Sequence, residues 1–516
     1  MLAYVLLGLF FLSTVWFTGG LIRGRLLLGL RAFLDVGMTN GFVSHMLSLP
    51  YVFFAHRPTG DLVMRVQSNS IVRELLTTST LSTVVDGGLL MIHLAAVFVV
   101  SPLLGLVTSF LAALQLLVFV MVRRRQRELL AAELNQQSTA QSYQVELLTG
   151  VETVKAAGAE TFVFDRWQGL FKGVLASSLE RARFAVWTDA VNGTIRMAAP
   201  IILLCTAAWL SLAGNLTLGE MLAVAALAGG VLGPVASLAA VGTNLEQARS
   251  HLERIDDVML AKPEQASART RVGVLEGNIS IEQLSFRYRA DGPLALDDVT
   301  AHVTSGEFVA VVGRSGSGKS TLASLLLGLY APESGRILFD GVDLQTLELS
   351  SLRQRLGIVT QKPHLFAATV RENIAFVNPG LTMDRIIEAA RLACIHDDIE
   401  ALPLGYDTLL QQGGASLSGG QRQRLAIARA IAHRPVILVL DEATNALDAV
   451  TEERVFGNLA TLECTRIVVA HRLSSIASAR RILLMHQGRL AEQGGHDQLM
   501  ARRGLYSELV AAQLRS

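Results

Sequence analysis

The stretch GRSGSGKS, residues 313–320, decides how the C-terminal half is read. It fits G-x-x-x-x-G-K-[ST], follows the apolar run EFVAVVG (307–313) and precedes TLASLLLGLY (321–330), whose apolar spacing is helical. A strand, a glycine loop and a helix in that order gather backbone N–H groups and a helix N-terminus around an anion. Gly313, Arg314, Ser315, Gly316, Ser317 and Gly318 make the loop, Lys319 is expected to neutralise the outer phosphates of a nucleotide, and Ser320 to ligate Mg2+. Thr321 belongs to the same nucleotide-binding set.

Working outward, VILVLDE (436–442) is a second buried-strand run, and it ends in two carboxylates. The carboxyl ends of strands in an open α/β sheet are where ligands sit. Asp441 is therefore expected to hold Mg2+, and Glu442 to polarise an attacking water. A lone Asp-Glu pair would read as a solvated strand end; the preceding phosphate loop changes that reading. LSGGQRQRLAIARAI (417–431) opens with Ser and two Gly and runs into a helical pattern. Leu417, Ser418, Gly419, Gly420 and Gln421 then form a helix N-terminus that exposes N–H groups to an anion, beyond what a plain capped helix needs. One nucleotide has one set of phosphates, so the second cradle makes sense if it serves another chain. Two copies facing head to tail would sandwich two nucleotides.

The other half is apolar. Hydrophobic residues make up 51% of the 516 residues and the mean hydropathy is +0.42, too high for an ordinary soluble protein. Apolar segments long enough to span a bilayer are expected at about 2–22, 81–100, 103–122, 195–212 and 221–241, within a membrane domain at 1–260. A linker is expected at 261–277 and a soluble α/β domain at 278–516. The first segment has no basic residue ahead of it and no small-residue cleavage site, which favours a span over a signal peptide. Arginines and lysines crowd the two long connections, from Arg23 to Arg73 and from Arg123 to Arg183, so both are expected in the cytoplasm. Five spans would start Met1 on the outer side. Asp86, His93 and Arg196 either mark a substrate path or reflect helix pairing and interfacial snorkelling. AGGVLGP (228–234) reads as a packing or kink element. A net charge of +1 points neither to nucleic acid nor to an acidic partner, and Cys205, Cys394 and Cys464 have no metal-site or disulfide spacing.

With these motifs together, residues 278–516 resemble the nucleotide-binding domain of an ABC transporter. The resemblance implies that Tyr288 in SFRY stacks on adenine, that Gln361 in VTQKPHLF reports on the metal, that Asp448 in ATNALD lies on the loop crossing a dimer interface, and that His471 in VVAHRLS contacts the γ-phosphate in catalysis. Gln361 joins Ser320 and Asp441 as an Mg2+ residue, while Asp448 joins 417–421 as part of the surface facing the opposite subunit's ATP. The membrane half is similar to the transmembrane domains of ABC exporters, with HRPTGDLVMRV (56–66) and GVETVKAAGAE (150–160) flanking the short cytoplasmic helices that push on the ATPase. These phrases, with SHLERIDDVM (250–259), resemble bacterial exporters of bacteriocin-like and leader-bearing peptides.

The implied fold is an α-helical transmembrane domain of exporter-type ABC fold followed by an α/β P-loop NTPase domain of ABC type. The implied protein is a homodimeric, ATP-driven peptide exporter, with ATP and Mg2+, in the inner (cytoplasmic) membrane with its nucleotide-binding domain in the cytoplasm. It would work against a lipid bilayer and with periplasmic or membrane accessory proteins, and not with nucleic acid. Exporters of lipid or small amphiphiles share the same engine, and a regulatory membrane ATPase that moves nothing is a rival of another class. Three departures stand out. Six spans are usual, and the first of them is expected to be missing from this sequence. No Cys or His precedes His45, so no leader-clipping cysteine peptidase is expected in this chain. Gln411-Gln412 stand where many exporters have Gly-Glu, and Asn445 replaces a usual Ser, a change expected to be mild.

Overall fold

Ser101 and Pro102 show how short a turn between two long helices is made. The Ser101 side chain accepts from Leu104 N–H at 3.5 Å, and Pro102 takes the first helical position, where its missing N–H costs nothing. The other tight connection, AGNLT (213–217), ends in a capping box: Glu220 N–H donates to Thr217 Oγ1 at 3.2 Å while the Glu220 carboxylate accepts from Thr217 N–H at 2.7 Å. Both turns lack charge, and one small apolar core joins them, with Val97, Leu104, Leu203, Leu210 and Val224 buried together.

The computed structural model describes residues 2–265, 269–470, 472, 476 and 478–515. The chain divides into two compact units, Met1–Glu264 and Gln265–Ser516. The first is helical: α1 (Leu2–Leu47), α2 (Tyr51–Ala55), α3 (Thr59–Val100), α4 (Pro102–Thr149), α5 (Val151–Ala156), α6 (Glu160–Leu212) and α7 (Leu218–Met259). At 1.5 Å per residue the 53 residues of α6 run about 80 Å, far beyond a bilayer core of about 30 Å. The spans are therefore only parts of longer helices, and most of each long connection is the helices' own continuation. Among the described residues, α4, α6 and Leu218–Val235 are long and apolar enough to cross a membrane, and Asp86–Val100 is a shorter apolar stretch. The segment 2–22 lies on α1, and many of its side chains are outside the described residues. The short helix α2 precedes 56–66, whereas α5 lies inside 150–160 rather than beside it. Pro50 and Pro58, both in extended conformation, are the N-caps of α2 and α3.

Polar groups in this unit pair across helices. Asp86 on α3 accepts from Ser237 on α7. His93 lies against Gly230, where a Cβ would come within 2.2 Å of the imidazole. Gly230 belongs to the 228–234 segment, which acts in packing as expected. For Asp86 and His93 the structure thus favours helix pairing over a substrate path. Below them, Asp61 accepts from Arg65 at 2.8 Å and from Ser138 at 3.0 Å, with Arg254 at 3.6 Å, tying α3, α4 and α7. Burial alone would raise the Asp61 carboxyl, but Arg65, Ser138 and Arg254 outweigh it and hold it below its ordinary range.

In the second unit the described residues form ten strands in two sheets. An antiparallel sheet has the order β2-β1-β4-β5, with β1 (Ile279–Phe286), β2 (Leu296–Val303), β4 (Ser334–Phe339) and β5 (Val342–Asp343). The larger sheet has the order β10-β9-β3-β8-β7-β6, with β3 (Phe308–Val312), β6 (Leu356–Val359), β7 (Ile437–Asp441), β8 (Thr465–Val469), β9 (Arg481–His486) and β10 (Arg489–Gly494). Only β10 runs antiparallel in it. Strands covered on both faces read as continuous apolar runs, and the pleat sends alternate residues to opposite cores. Val309, Val311 and Val439 pack with Leu322 and Leu325 of α8 (Lys319–Leu326), whereas Ala310, Val312 and Leu440 pack in the opposite core. Helices α9 (Leu349–Arg353), α10 (Val370–Ile374), α11 (Met383–Leu392), α12 (His396–Glu400), α13 (Gly419–Ile431) and α14 (Ala449–Leu459) follow, and Leu425 and Ile427 of α13 join that opposite core. Within 261–277, Thr270 N–H donates to Thr346 O at 3.0 Å and Val272 N–H to Ser351 Oγ at 3.0 Å, so this part of the expected linker is strapped to the second unit.

Candidate nucleotide site

Leaving β3, the chain turns through Gly313 (φ +149°), Gly316 (φ +78°) and Gly318 (φ +100°) before α8 begins at Lys319. At Gly313 a Cβ would meet Met485 O at 2.2 Å, and at Gly318 it would meet Ala295 O at 2.7 Å. Glycine is required at both positions for conformation and for space. Lys319 is buried, and its Nζ donates to the loop's own carbonyls, Gly313 O at 2.9 Å and Arg314 O at 3.0 Å. Burial pushes this ammonium below its ordinary value, with Glu442 and Asp441 pulling the other way. Ser317 Oγ is buried with no hydrogen-bond partner among the described residues. A glycine cradle, a lysine curled onto it and an orphan hydroxyl fit an anionic ligand with several acceptor oxygens.

Across the mouth of the sheet, β7 delivers the carboxylates. Ser320 Oγ donates to Asp441 Oδ1 at 3.2 Å, so two of the three expected Mg2+ residues already meet. Glu442 has φ +50°, a left-handed conformation that side chains other than glycine seldom adopt and that costs about 1–3 kcal/mol. Its Oε2 accepts from Gln361 Nε2 at 2.9 Å and from Asn445 Nδ2 at 2.9 Å. The Gln361 amide oxygen makes neither of these bonds and is an acceptor suited to a cation. Tyr288 is half exposed; its hydroxyl pairs with Thr321 Oγ1 at 2.9 Å, which sets the ring beside the start of α8. The edges of Phe286 and Tyr330, with centroids 5.0 and 5.3 Å away, brace that ring. Arg314 and Ser315 are exposed on the loop.

The 417–421 segment lies elsewhere. Ser418 caps α13 through a capping box, with Gln421 N–H donating to Ser418 Oγ at 3.2 Å, and Gln421 Nε2 donates on to Asp398 at 2.8 Å. Leu417 is buried beneath it, while Gly419 and Gly420 lie against Ala446. The helix packs against the edge strand β6, three strands from β3, a separation of about 14 Å at 4.8 Å per strand. Among the described residues no hydrogen bond joins 417–421 to 313–321. Asp448 is exposed and caps α14 through Thr451 N–H at 2.9 Å. His471 lies outside the described residues.

Three residues not singled out for these contacts take part. Asn445 holds Glu442. Gln423 Oε1 accepts from Ala446 N–H at 2.8 Å, fixing the loop that carries Asp448, and Arg472 binds Leu447 O at 2.7 Å and the buried Glu452 at 3.0 Å. Asn445 sits three residues after Glu442, and that spacing was the only trace of its role in the sequence. At the substituted Gln411-Gln412 turn, Gly413 N–H donates to Leu365 O at 3.1 Å, which ties the turn to the segment that carries Gln361.

Fold and site together define a P-loop ATPase joined to a helical membrane domain. Residues 296–445 match the family described as ABC transporter, and residues 1–235 match the ABC transporter transmembrane region. The chain is 36% identical over 510 residues to the cyclolysin secretion/processing ATP-binding protein CyaB of Bordetella pertussis, covering 97% of this chain and 72% of that one. It is 36% identical over 485 residues to the leukotoxin translocation ATP-binding protein LktB of Mannheimia haemolytica, covering 93% of this chain and 68% of that one. A solved structure of a bacterial Atm1-family ABC exporter with ATP bound superposes with a TM-score of 0.87 at 29% identity, over 96% of this chain and 86% of that one. The chain belongs to the ABC transporter family. It is an ATP-driven exporter with a membrane domain fused to an ABC ATPase domain, multi-pass in the inner membrane with the ATPase in the cytoplasm.

Proposed function

We propose that the protein works as a homodimer that exports a polypeptide. The observation that supports the dimer is that the LSGGQ helix N-terminus lies against Ala446 and, among the described residues, has no hydrogen bond to the phosphate loop. Each cradle on its own offers half a site, and a second copy turned head to tail completes both. In this reading Leu417, Ser418, Gly419, Gly420, Gln421 and Asp448 face the ATP held by 313–321 of the other copy, with Tyr288 against its adenine. Ser320, Asp441 and Gln361 would hold Mg2+, which would supply charge to offset the phosphate oxygens. Glu442 orients and deprotonates the attacking water, and His471 is assigned the γ-phosphate by its place in VVAHRLS. Membrane residues 1–260, with five spans at the positions given above, respond when the ATPase domains close.

The cargo class is supported by the relatives, whose names assign them secretion of cyclolysin and translocation of leukotoxin. A bacteriocin-like peptide is the small end of the same class. The test is a proteoliposome carrying the full chain, given ATP and either an unfolded polypeptide or a lipid substrate. Faster ATP turnover and uptake of the polypeptide are expected. Stimulation by lipid alone would replace this cargo, and ATP turnover without uptake of anything would identify a regulatory ATPase. ATP-dependent pairing of Glu442→Gln chains, read by light scattering, tests the dimer; a monomer in saturating ATP would refute it.

A further inference from the structure

The segment around α12 carries one residue that its own pattern does not call for. Ile395, Asp398, Ile399 and Leu402 recur at i, i+3, i+4 and i+7, the spacing of a face turned to a core. Ile395 and Ile399 are both buried, in the same core as Leu425 of α13. An apolar residue is expected at 398. A partly buried carboxylate stands there instead, with both oxygens in use: Oδ1 accepts from Gln421 Nε2 at 2.8 Å and Oδ2 from Arg424 Nη1 at 2.8 Å. Between α11 and α12 the chain turns at Cys394 (φ +55°), whose carbonyl also accepts from Arg424, and this turn sets α12 on α13.

Gln421 closes the capping box of α13. Its Oε1 accepts from Ser418 N–H at 3.0 Å, while its own N–H donates to Ser418 Oγ at 3.2 Å. The Gly419 and Gly420 N–H groups and the Ser418 hydroxyl hydrogen then have no acceptor among the described residues, so one helix start keeps three donors for an anion. This arrangement needs the amide oxygen of Gln421, and not its nitrogen, toward Ser418. The two ends of a carboxamide are almost the same size, and packing alone does not choose between them. An ionised carboxylate only accepts, so Asp398 draws the Gln421 nitrogen to itself and sends the oxygen to Ser418. Turned over, the amide would set its NH2 group against the Ser418 N–H, donor against donor, and the first turn of α13 would loosen.

We infer that Asp398 is a positioning residue for ATP turnover: it fixes the Gln421 amide, and through it the turn that presents Ser418, Gly419 and Gly420 to the nucleotide. The inference rests on the head-to-tail homodimer proposed above, in which this helix start faces the other copy's ATP. Pairing with Arg424 would by itself only hold α12 to α13, a structural role to which the donors of α13 are indifferent.

Asp398→Asn keeps the size of the side chain and an oxygen for Arg424 but sets an NH2 group against Gln421. In detergent-solubilised full-length protein, kcat for ATP is expected to fall about tenfold, as for loss of one charge-assisted hydrogen bond. Adding Gln421→Glu exchanges donor and acceptor: the new amide donates to the new carboxylate, which still accepts from Ser418 N–H as in a Ser-x-x-Glu capping box. The double variant keeps the net charge of the original pair, and its kcat is expected to return to within about twofold of the unaltered protein. Arg424 loses its ion pair in the single and the double variant alike, so an effect through Arg424 or through folding would persist in both. In chains carrying Glu442→Gln, Asp398→Asn is expected to raise the ATP concentration for half-maximal pairing about tenfold. Unaltered turnover in Asp398→Asn, or a double variant no faster than the single, would overturn the inference and leave Asp398 as the partner of Arg424. If the Glu442→Gln chains pair at an ATP concentration that Asp398→Asn does not shift, the homodimer stands and the inference falls. If they stay single in saturating ATP whatever stands at 398, the homodimer falls and takes the inference with it.

Discussion

Asp86 on α3 and Glu442 after β7 are both carboxylates, one within an apolar helix and one at the mouth of a sheet, and their surroundings differ in kind. Asp86 closes onto Ser237 of the facing helix, and deeper in the same unit Asp61 closes onto Arg65, Ser138 and Arg254. Glu442 sits on a strained backbone and is held by the amides of Gln361 and Asn445, beside a lysine that borrows loop carbonyls and a serine, Ser317, with no hydrogen-bond partner among the described residues. Polar groups satisfied by their own chain hold helices together. Groups left strained, borrowed or unmatched mark where a ligand belongs.

The sharpest way to break the contrast is Glu442→Gln. Hydrolysis is expected to fall about 10²–10⁴-fold, the range for loss of a general base, while ATP binding persists. Near-normal turnover in phosphate-release assays would take Glu442 out of its role. On the structural side, Asp61→Asn is expected to cost about 1–3 kcal/mol, because it leaves Arg65 and Arg254 facing a neutral amide. The carboxyl is held below its ordinary value, so its contribution is fully present above about pH 4 and is lost as pH falls through the lowered value. Thermal melts of the two proteins should therefore converge in acid, and a gap that stays constant would disconnect the effect from ionisation.

Asn445→Ala should lower kcat for ATP about fivefold and leave KM unchanged, as expected if the side chain positions Glu442 rather than ATP, at about 1 kcal/mol. A rise in KM alone would place Asn445 on the nucleotide. The smallest effect is expected from Ser237→Ala, about 0.6 kcal/mol of stability by urea or thermal unfolding, with no change in ATP turnover. A large loss of export in that variant would move Asp86 from packing to the cargo path.

The nucleotide site was legible in sequence because its chemistry is local. A strand, a glycine loop and a helix are contiguous, so GRSGSGKS carries its own geometry, and the same is true of VLDE and of the capped LSGGQ helix. Asn445 was read as a mild exchange because its value lies in one carboxylate oxygen that folding brings to it. The membrane unit was legible at the level of apolar length and basic ends. Its polar residues were not, since Asp86 and Asp61 also find partners on other helices, far away in sequence.

Composition and spacing alone determined that this chain pairs a membrane region with a nucleotide-binding domain, because hydropathy and contiguous motifs depend on neighbours in the chain. Tertiary structure alone decided which polar groups are spoken for. It paired Asp86 with Ser237, set Gln361 and Asn445 on Glu442, and laid the start of the LSGGQ helix against Ala446. Those outcomes depend on helix rotation and strand order, which residues distant in sequence settle only by packing together.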